Sequence, residues 1–186
     1  MNMNANLLVS HIWPVTGLGR AAILAVLGSA LVAVAAQINV PMLPVPMTLQ
    51  TLAVLAIGAA YGARLGAATL ALYALEGAAG LPVFAEMSAG IMRPSGGYVI
   101  GFILAAGLVG WLVERGWGQN AFKLFGAMLL GAAVLYVPGL IWLAAYVGGM
   151  EKAVEYGLTP FIIGDIVKAA IAALAFPAAF MVLGKR

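Results

Sequence analysis

Long apolar stretches, with most charges at their ends, restrict this chain to a small number of fold classes. Of its 186 residues, 65% are hydrophobic and only 8% are charged, whereas a soluble domain has charges at about a quarter of its positions. Apolar segments are stable as helices in a bilayer because a helix bonds all of its backbone polar groups internally. The composition predicts an all-α integral membrane protein with one domain over residues 1–186.

Six apolar segments predict a bundle of six transmembrane helices within residues 20–183. They cover residues 20–37, 48–60, 62–79, 97–113, 122–147 and 160–183. Lys and Arg favour the cytosolic side of a membrane. With a cytosolic N-terminus, six of these cations fall inside and two, Arg93 and Lys152, fall outside, so both termini are predicted to be cytosolic. Residues 1–19 lack the basic start of a cleaved signal and are interpreted as a cytosolic or interfacial segment.

The second segment is unusually short, and the residues before it are unusually apolar for a loop. Residues 48–60 would make a helix of roughly 20 Å, which is too short to cross a hydrocarbon core of about 30 Å alone. Residues 39–47 are apolar but contain Pro41, Pro44 and Pro46, so they cannot form regular helix. We interpret this first external loop as re-entrant, dipping to membrane depth over a cavity. A tight external turn is the alternative.

Asp165 and Lys168 are the only charged residues within the last apolar segment, 159–183. They are three residues apart and therefore lie on one face of a helix. A charge at the centre of a bilayer costs at least about 2.5 kcal/mol, so such residues indicate a functional site. A neutralised structural ion pair between two helices is the alternative.

A second external loop, residues 80–97, combines apolar side chains with glycines and is predicted to be a lid over the outer end of the bundle. Tyr98 follows it, where a tyrosine suits either a ligand site or the membrane interface. Thr48 and Gln50, at the outer start of the second segment, could add hydrogen bonds to a ligand. Thr48 could equally be a helix N-cap.

Four motifs, in order along the chain, resemble the BioY family, the biotin-specific substrate-binding (S) components of energy-coupling factor (ECF) vitamin transporters. They are PVPMTLQTL at 44–52, GLPVF at 80–84, PSGGYVIGF at 94–102 and GDIVK at 164–168. The resemblance implies a six-helix S-component with both termini cytosolic and a biotin site near the outer surface, covered by the two external loops. It implies a multi-pass protein of a bacterial or archaeal cytoplasmic membrane, in contact with lipid.

The resemblance also implies a set of biotin contacts. Our hypothesis is that Asp165 accepts a hydrogen bond from a ureido N–H and that Lys168 donates to the ureido oxygen. Arg93 is a candidate for the valerate carboxylate, and the rival assignment gives that carboxylate to Lys168. Two positions depart from the family, which usually has a small residue at Arg93 and a small or amide residue at Glu86. The expected substrate-binding set is Asp165, Lys168, Tyr98, Phe84, Gln50, Thr48, Val45, Met47, Glu86 and Arg93, with the thiophane ring and valerate chain on Tyr98, Phe84, Val45 and Met47.

Helix one carries a stripe of small residues at four-residue spacing, formed by Ala21, Ala25, Ser29 and Ala33. Such stripes let helices approach closely in a membrane. In ECF transporters this face docks on the transmembrane (T) component, so the resemblance makes the stripe a partner-docking surface. Packing within the chain is the alternative.

Several function classes are opposed by the sequence. No Walker A pattern, metal-ligand cluster or nucleophile–base arrangement is present in the sequence, so we expect neither an enzyme nor a cofactor. Because the chain has no ATP-hydrolysing motif, an ECF transporter would need a T-component and a pair of ATPase subunits as partners. The basic residues do not cluster into a patch for nucleic acid. Two alternatives stay open: a solitary biotin transporter without ATPases, and an ion-coupled transporter that uses Asp165 and Lys168 as a relay.

Overall fold

The computed structural model of the chain is almost entirely helical. It describes Leu7, Val9 and residues 17–183, with side chains as far as residue 176. The helices are α1 (Leu18–Gln37), α2 (Gln50–Ala78), α3 (Gly96–Glu114), α4 (Ala121–Val147), α5 (Met150–Gly157) and α6 (Ile162–Leu183). Two short strands, β1 (Asn39–Val40) and β2 (Met47–Thr48), precede α2, and single 3₁₀ turns lie at Ala85–Met87 and Trp117–Gln119.

The lengths and hydropathies of the helices are those of an all-α, multi-pass membrane protein. Each of α1, α2, α3 and α4 is long and apolar enough to cross a bilayer, and α5 with α6 forms a fifth candidate span bent by 49°. The short helix α5 was not predicted. It carries exposed charges, among them Glu151, Lys152 and Glu155, so its hydropathy does not resemble that of the six predicted segments.

Helix α2 folds back on itself at Gly62. The backbone there has φ 82° and ψ 178°, a conformation that only glycine adopts readily. Gln50 and Tyr73 would be about 35 Å apart along a straight helix, yet their side chains form a 2.6 Å hydrogen bond. A Cβ placed on Gly66 would lie 3.2 Å from the Cα of Gly58. The two halves of α2 therefore run antiparallel and in contact, which matches the division predicted between residues 60 and 62.

Helix α3 lies against α2 on one side and α4 on the other. Its contacts depend on the absence of side chains: a Cβ on Gly58 would lie 2.6 Å from the carbonyl oxygen of Ala106, and Gly101 and Gly110 meet the backbones of α4 and α2 in the same way. Small residues at helix crossings allow such close approach in membrane proteins. These crossings hold α2, α3 and α4 around the candidate site.

The first loop is a short β-hairpin in which Asn39 pairs with Thr48 and Val40 with Met47. Leu43 at its tip is 95% exposed, whereas Val45 is buried. Helix α2 begins at Gln50 and not at Thr48 as predicted, because Thr48 is held in β2 and its hydroxyl accepts a hydrogen bond from the Gln50 amide. Whether this loop enters the membrane stays a prediction.

Candidate functional site

A cavity lies at the end of the bundle where the first loop, the loop after α2 and the α4–α6 connection meet; we call this the loop end (residues 38–49, 79–95 and 148–161). It contains about 560 Å³ of empty space, including its open mouth. Its walls are mostly apolar and aromatic, with a few polar groups. The lining residues are Val45, Pro46, Thr48, Gln50, Thr51, Phe84, Ala85, Ser95, Tyr98, Val99, Phe102, Leu135, Tyr136, Phe161 and Lys168.

Both predicted covering loops contribute to this cavity. Val45 and Pro46 come from the β-hairpin, and Phe84 and Ala85 come from the loop after α2. The Phe84 ring is buried edge-on against Tyr73, with ring centroids 5.4 Å apart. It occupies the space that a side chain at Gly77 would take. Phe84 therefore packs against α2 and also borders the cavity.

Asp165 is buried behind the cavity wall and holds three side chains of that wall. Its Oδ1 accepts hydrogen bonds from the Thr51 hydroxyl at 3.1 Å and from Lys168 Nζ at 3.1 Å. Its Oδ2 accepts from the Tyr136 hydroxyl at 2.5 Å. Asp165 is not itself a lining residue. The carboxylate therefore orients groups from α2, α4 and α6 toward one another.

Lys168 is the charged group that reaches the cavity. It is 8% exposed, and its ammonium group donates to Thr51 Oγ1 at 2.8 Å as well as to Asp165. An ammonium has three N–H donors, and these two bonds are the ones it makes among the described residues. The third donor is available to an oxygen of a bound ligand, with Asp165 neutralising the charge.

Gln50 and Thr48 form a second polar group on the wall. Thr48 Oγ1 lies 3.0 Å from Gln50 Oε1, and Gln50 Nε2 donates to the Tyr73 hydroxyl. Tyr73 donates in turn to the Val83 carbonyl oxygen at 2.9 Å. These residues link the hairpin, both halves of α2 and the loop after α2, and Thr48 and Gln50 line the cavity.

Tyr98 contributes its ring to the cavity, because its hydroxyl is already bonded to the Gly157 carbonyl oxygen at 2.8 Å. The ring meets Tyr136 edge-on at a centroid distance of 6.1 Å. An aromatic surface of this kind suits a flat or saturated ring of a ligand.

Not every residue expected at the site reaches the cavity. Met47 packs toward Gly164, and Glu86 and Arg93 are exposed on the loop after α2. None of these three is a lining residue. Alternation along β2 explains Met47, since successive strand residues point to opposite sides. The backbone of Arg93 instead accepts a hydrogen bond from Trp142 Nε1 at 2.9 Å.

The structure adds wall residues that were not expected. Thr51 and Tyr136 complete the Asp165 network, and Phe102, Leu135 and Phe161 extend the apolar wall. Thr51 adjoins Gln50 within the PVPMTLQTL motif at 44–52, and this position was an available signal. Tyr136 lies in the middle of an apolar helix, where nothing in the local sequence distinguishes a ligand site from a packing position.

The small-residue stripe of α1 faces the chain's own α2. Ser29 is 1% exposed and donates a hydrogen bond to the Glu76 carboxylate, while Ala21, Ala25 and Ala33 are half-buried. The exposed side of α1 is the opposite one, with Val26, Leu27, Leu31 and Val34. This placement agrees with the alternative of internal packing, and docking of the stripe on a second chain stays a prediction.

Comparisons with known proteins agree with this description. A family model described as "BioY family" matches residues 4–185. A probable biotin transporter BioY of Pyrococcus horikoshii is 42% identical over 148 residues, 78% of this chain and 86% of the relative. The biotin transporter BioY of Thermotoga maritima is 38% identical over 150 residues, 78% and 87% of the two chains.

A solved structure has the same fold. It is described as the S-component for biotin from an ECF-type ABC transporter, and it superposes with a TM-score of 0.75 at 24% identity, covering 90% of this chain and 92% of the other. The family match over nearly the whole sequence, the identities to its members and the shared helical fold lead to one conclusion: this chain belongs to the BioY family.

Proposed function

We propose that this protein binds biotin in the loop-end cavity and serves as the biotin-specific S-component of an ECF-type transporter in a cytoplasmic membrane. The observation that carries the proposal is the polar network of Asp165, Thr51, Tyr136 and Lys168, which presents the Lys168 ammonium to a mostly apolar cavity. Family membership and relatives named as biotin transporters support the same ligand. Biotin combines a polar ureido ring, an apolar thiophane ring and chain, and a carboxylate, which such a cavity can match.

Lys168 is our candidate for the direct polar contact. Its third N–H would donate to the ureido oxygen, a charge-assisted bond that is stronger than a neutral one. A carboxylate offers about four acceptor sites, and three donors already use Asp165. Because Thr51 and Tyr136 line the cavity and Asp165 does not, a ureido N–H would reach the fourth acceptor site only after one of these two side chains moves aside. In the absence of that movement, Asp165 acts through Lys168.

The apolar part of biotin would pack on Tyr98, Phe84 and Val45, which share the cavity wall. Met47, on the other side of β2, would support the hairpin from outside the cavity. Arg93 would reach the valerate carboxylate only after a movement of its loop. The rival assignment, with the carboxylate on Lys168, needs no such movement.

Binding of biotin to the detergent-purified chain tests the proposal directly. We expect saturable binding of labelled biotin at submicromolar concentration, with one site per chain. Absence of binding in that range would remove the proposed function. Biotin methyl ester and biocytin then separate the two orientations: if Lys168→Ala abolishes a preference for the free acid, the carboxylate and not the ureido oxygen is on Lys168.

We further propose six membrane spans, with the halves of α2 counted separately and α6 completing the sixth. In this topology both termini are cytosolic and the loop end is external. A T-component and two ATPase subunits would supply the energy for uptake. Co-purification of these subunits with a tagged chain would support this assembly, and uptake in cells that lack them would favour a solitary transporter.

A further inference from the structure

The side-chain amide of Gln37, at the end of α1, joins that helix to the loop that covers the cavity. Its Nε2 donates to the Phe84 carbonyl oxygen at 3.0 Å, and its Oε1 accepts from the Met87 amide at 3.0 Å. The same Nε2 lies 3.1 Å from the Ala33 carbonyl oxygen one turn back in α1. One amide therefore binds both sides of the Ala85–Met87 turn while it is anchored on its own helix.

The turn that Gln37 binds is in an unusual backbone conformation. Glu86 and Met87 have φ values of 59° and 53°, in the left-handed region that residues other than glycine rarely adopt. Such conformations persist only where surrounding contacts hold them. This conformation turns the Met87 amide toward α1, where the amide donates a hydrogen bond to Gln37 Oε1. Loss of the Gln37 hydrogen bonds would therefore allow Glu86 and Met87 to leave this unfavourable backbone conformation.

The turn also carries part of the cavity wall. Phe84 and Ala85 border the cavity, and the loop is tied to α2 through Tyr73, which donates to Val83, and through the Gly90 amide, which donates to Gly77. Gln37 adds a tie to α1 at the residues nearest the cavity. Opening of the loop at Phe84 must break the two Gln37 bonds.

We propose that Gln37 is a latch: a positioning residue that acts through Phe84 to hold the covering loop shut and so sets how fast the ligand leaves. This inference rests on the proposed function for the identity of the ligand. It does not require Gln37 to touch the ligand.

The test compares Gln37→Leu, similar in size but without polar atoms, with Met92→Ala, which shortens an exposed side chain on the same loop. Labelled biotin is bound to the purified full chain and chased with excess unlabelled biotin. We expect Gln37→Leu to speed dissociation by about tenfold, the scale of two neutral hydrogen bonds, with the association rate changed much less. Met92→Ala should dissociate at the wild-type rate. Equal dissociation of Gln37→Leu and wild type would overturn the latch.

Hydrogen exchange on the protein without biotin separates a latch from a general loss of stability. Gln37→Leu should speed exchange at the Met87 amide and leave the core amides of Val109 and Val113 unchanged. Equal speeding in the core, or no change at Met87, would contradict the proposal. If the wild-type chain binds no biotin, the proposed function is wrong, and exchange at Met87 still decides whether Gln37 holds the loop.

Discussion

Asp165 shows how one buried carboxylate can organise a site that it does not line. Thr51, Tyr136 and Lys168 come from three helices, and each donates a hydrogen bond to it. Removal of one partner of a buried ion pair leaves an uncompensated charge and typically costs about 3–5 kcal/mol. The position of Lys168 at the cavity therefore depends on Asp165, whichever end of biotin Lys168 contacts.

Replacement of Asp165 by Asn is expected to weaken biotin binding on the order of 100-fold, since the Lys168 charge loses its partner. Isothermal titration or labelled biotin at equilibrium would measure this loss. Glu86→Gln is the matched control, because it makes the same chemical change on an exposed loop residue, and it should leave the affinity within about twofold of wild type. An Asp165→Asn variant with wild-type affinity would rule out the site as described.

Tyr136 and Tyr98 offer a comparison between two hydroxyls at one cavity. Tyr136→Phe removes a hydrogen bond to a charged group, so we expect about tenfold weaker biotin binding. Tyr98→Phe removes a bond to the Gly157 backbone, outside the Asp165 network, and should weaken binding less. Both variants keep their rings. The reverse order of effects in the same binding assay would mean that the Asp165 network does not position the ligand-binding groups.

The antiparallel halves of α2 are the element on which the site is built. Gln50 and Thr51 lie on the first half and Tyr73 on the second, and the reversal at Gly62 brings them to the same end of the bundle. At that reversal, the Glu114 carboxylate of α3 accepts a hydrogen bond from the Ala63 amide at 2.9 Å. Acidic side chains stabilise helix N-termini in this way, so α3 secures the start of the second half.

Substitution of Gly62 by Ala is expected to destabilise the fold by roughly 1–3 kcal/mol from the backbone alone, because φ 82° with ψ 178° is a conformation essentially restricted to glycine. The added Cβ would also lie 2.8 Å from Leu7 Cδ1. Thermal unfolding in detergent, followed by intrinsic fluorescence, should show a midpoint lower by several degrees. Gly107→Ala in α3 is the control, since its Cβ would meet Ala67 at an ordinary 3.7 Å and alanine favours helix. Equal midpoints for Gly62→Ala and wild type would argue against the tight reversal.

For the whole molecule, three of the connections gather at the loop end, whereas the Gly62 reversal and the α3–α4 connection at residues 115–120 lie outside that set. The Lys and Arg distribution favours an external loop end, because Arg93 and Lys152 are the two cations on this side in the six-span topology. The proposed direction of biotin entry depends on this orientation, which the internal contacts of the protein do not determine.

The absence of cysteine makes the orientation directly measurable. Arg93→Cys and Lys152→Cys are expected to react with a membrane-impermeant maleimide in intact cells, and Lys123→Cys only after permeabilisation. All three positions are exposed, so accessibility within the protein does not bias the comparison. Labelling of Lys123→Cys in intact cells, with protection of the other two, would reverse the proposed topology.

Local sequence was enough to predict the long helices, the helix face shared by Asp165 and Lys168, and the loops that cover the cavity. Hydropathy located the long apolar helices but not α5, because burial in lipid depends on the composition of each segment. The three-residue spacing placed Asp165 and Lys168 on one helix face, and the apolar loop residues predicted cover over a cavity. These properties depend on neighbours within about one turn or one loop.

The set of residues that meet at the site could not be predicted from local sequence, because its members come from distant parts of the chain. Thr51 and Tyr136 lie 114 and 29 residues from Asp165, and α1 turns Ser29 inward toward Glu76. Met47, Glu86 and Arg93 carry suitable chemistry but lie off the cavity. Contacts between distant segments depend on how the helices pack against one another through their small residues. A membrane helix bundle with a charged pair follows from local sequence, whereas helix packing makes that pair part of a hydrogen-bond network beside a covered cavity.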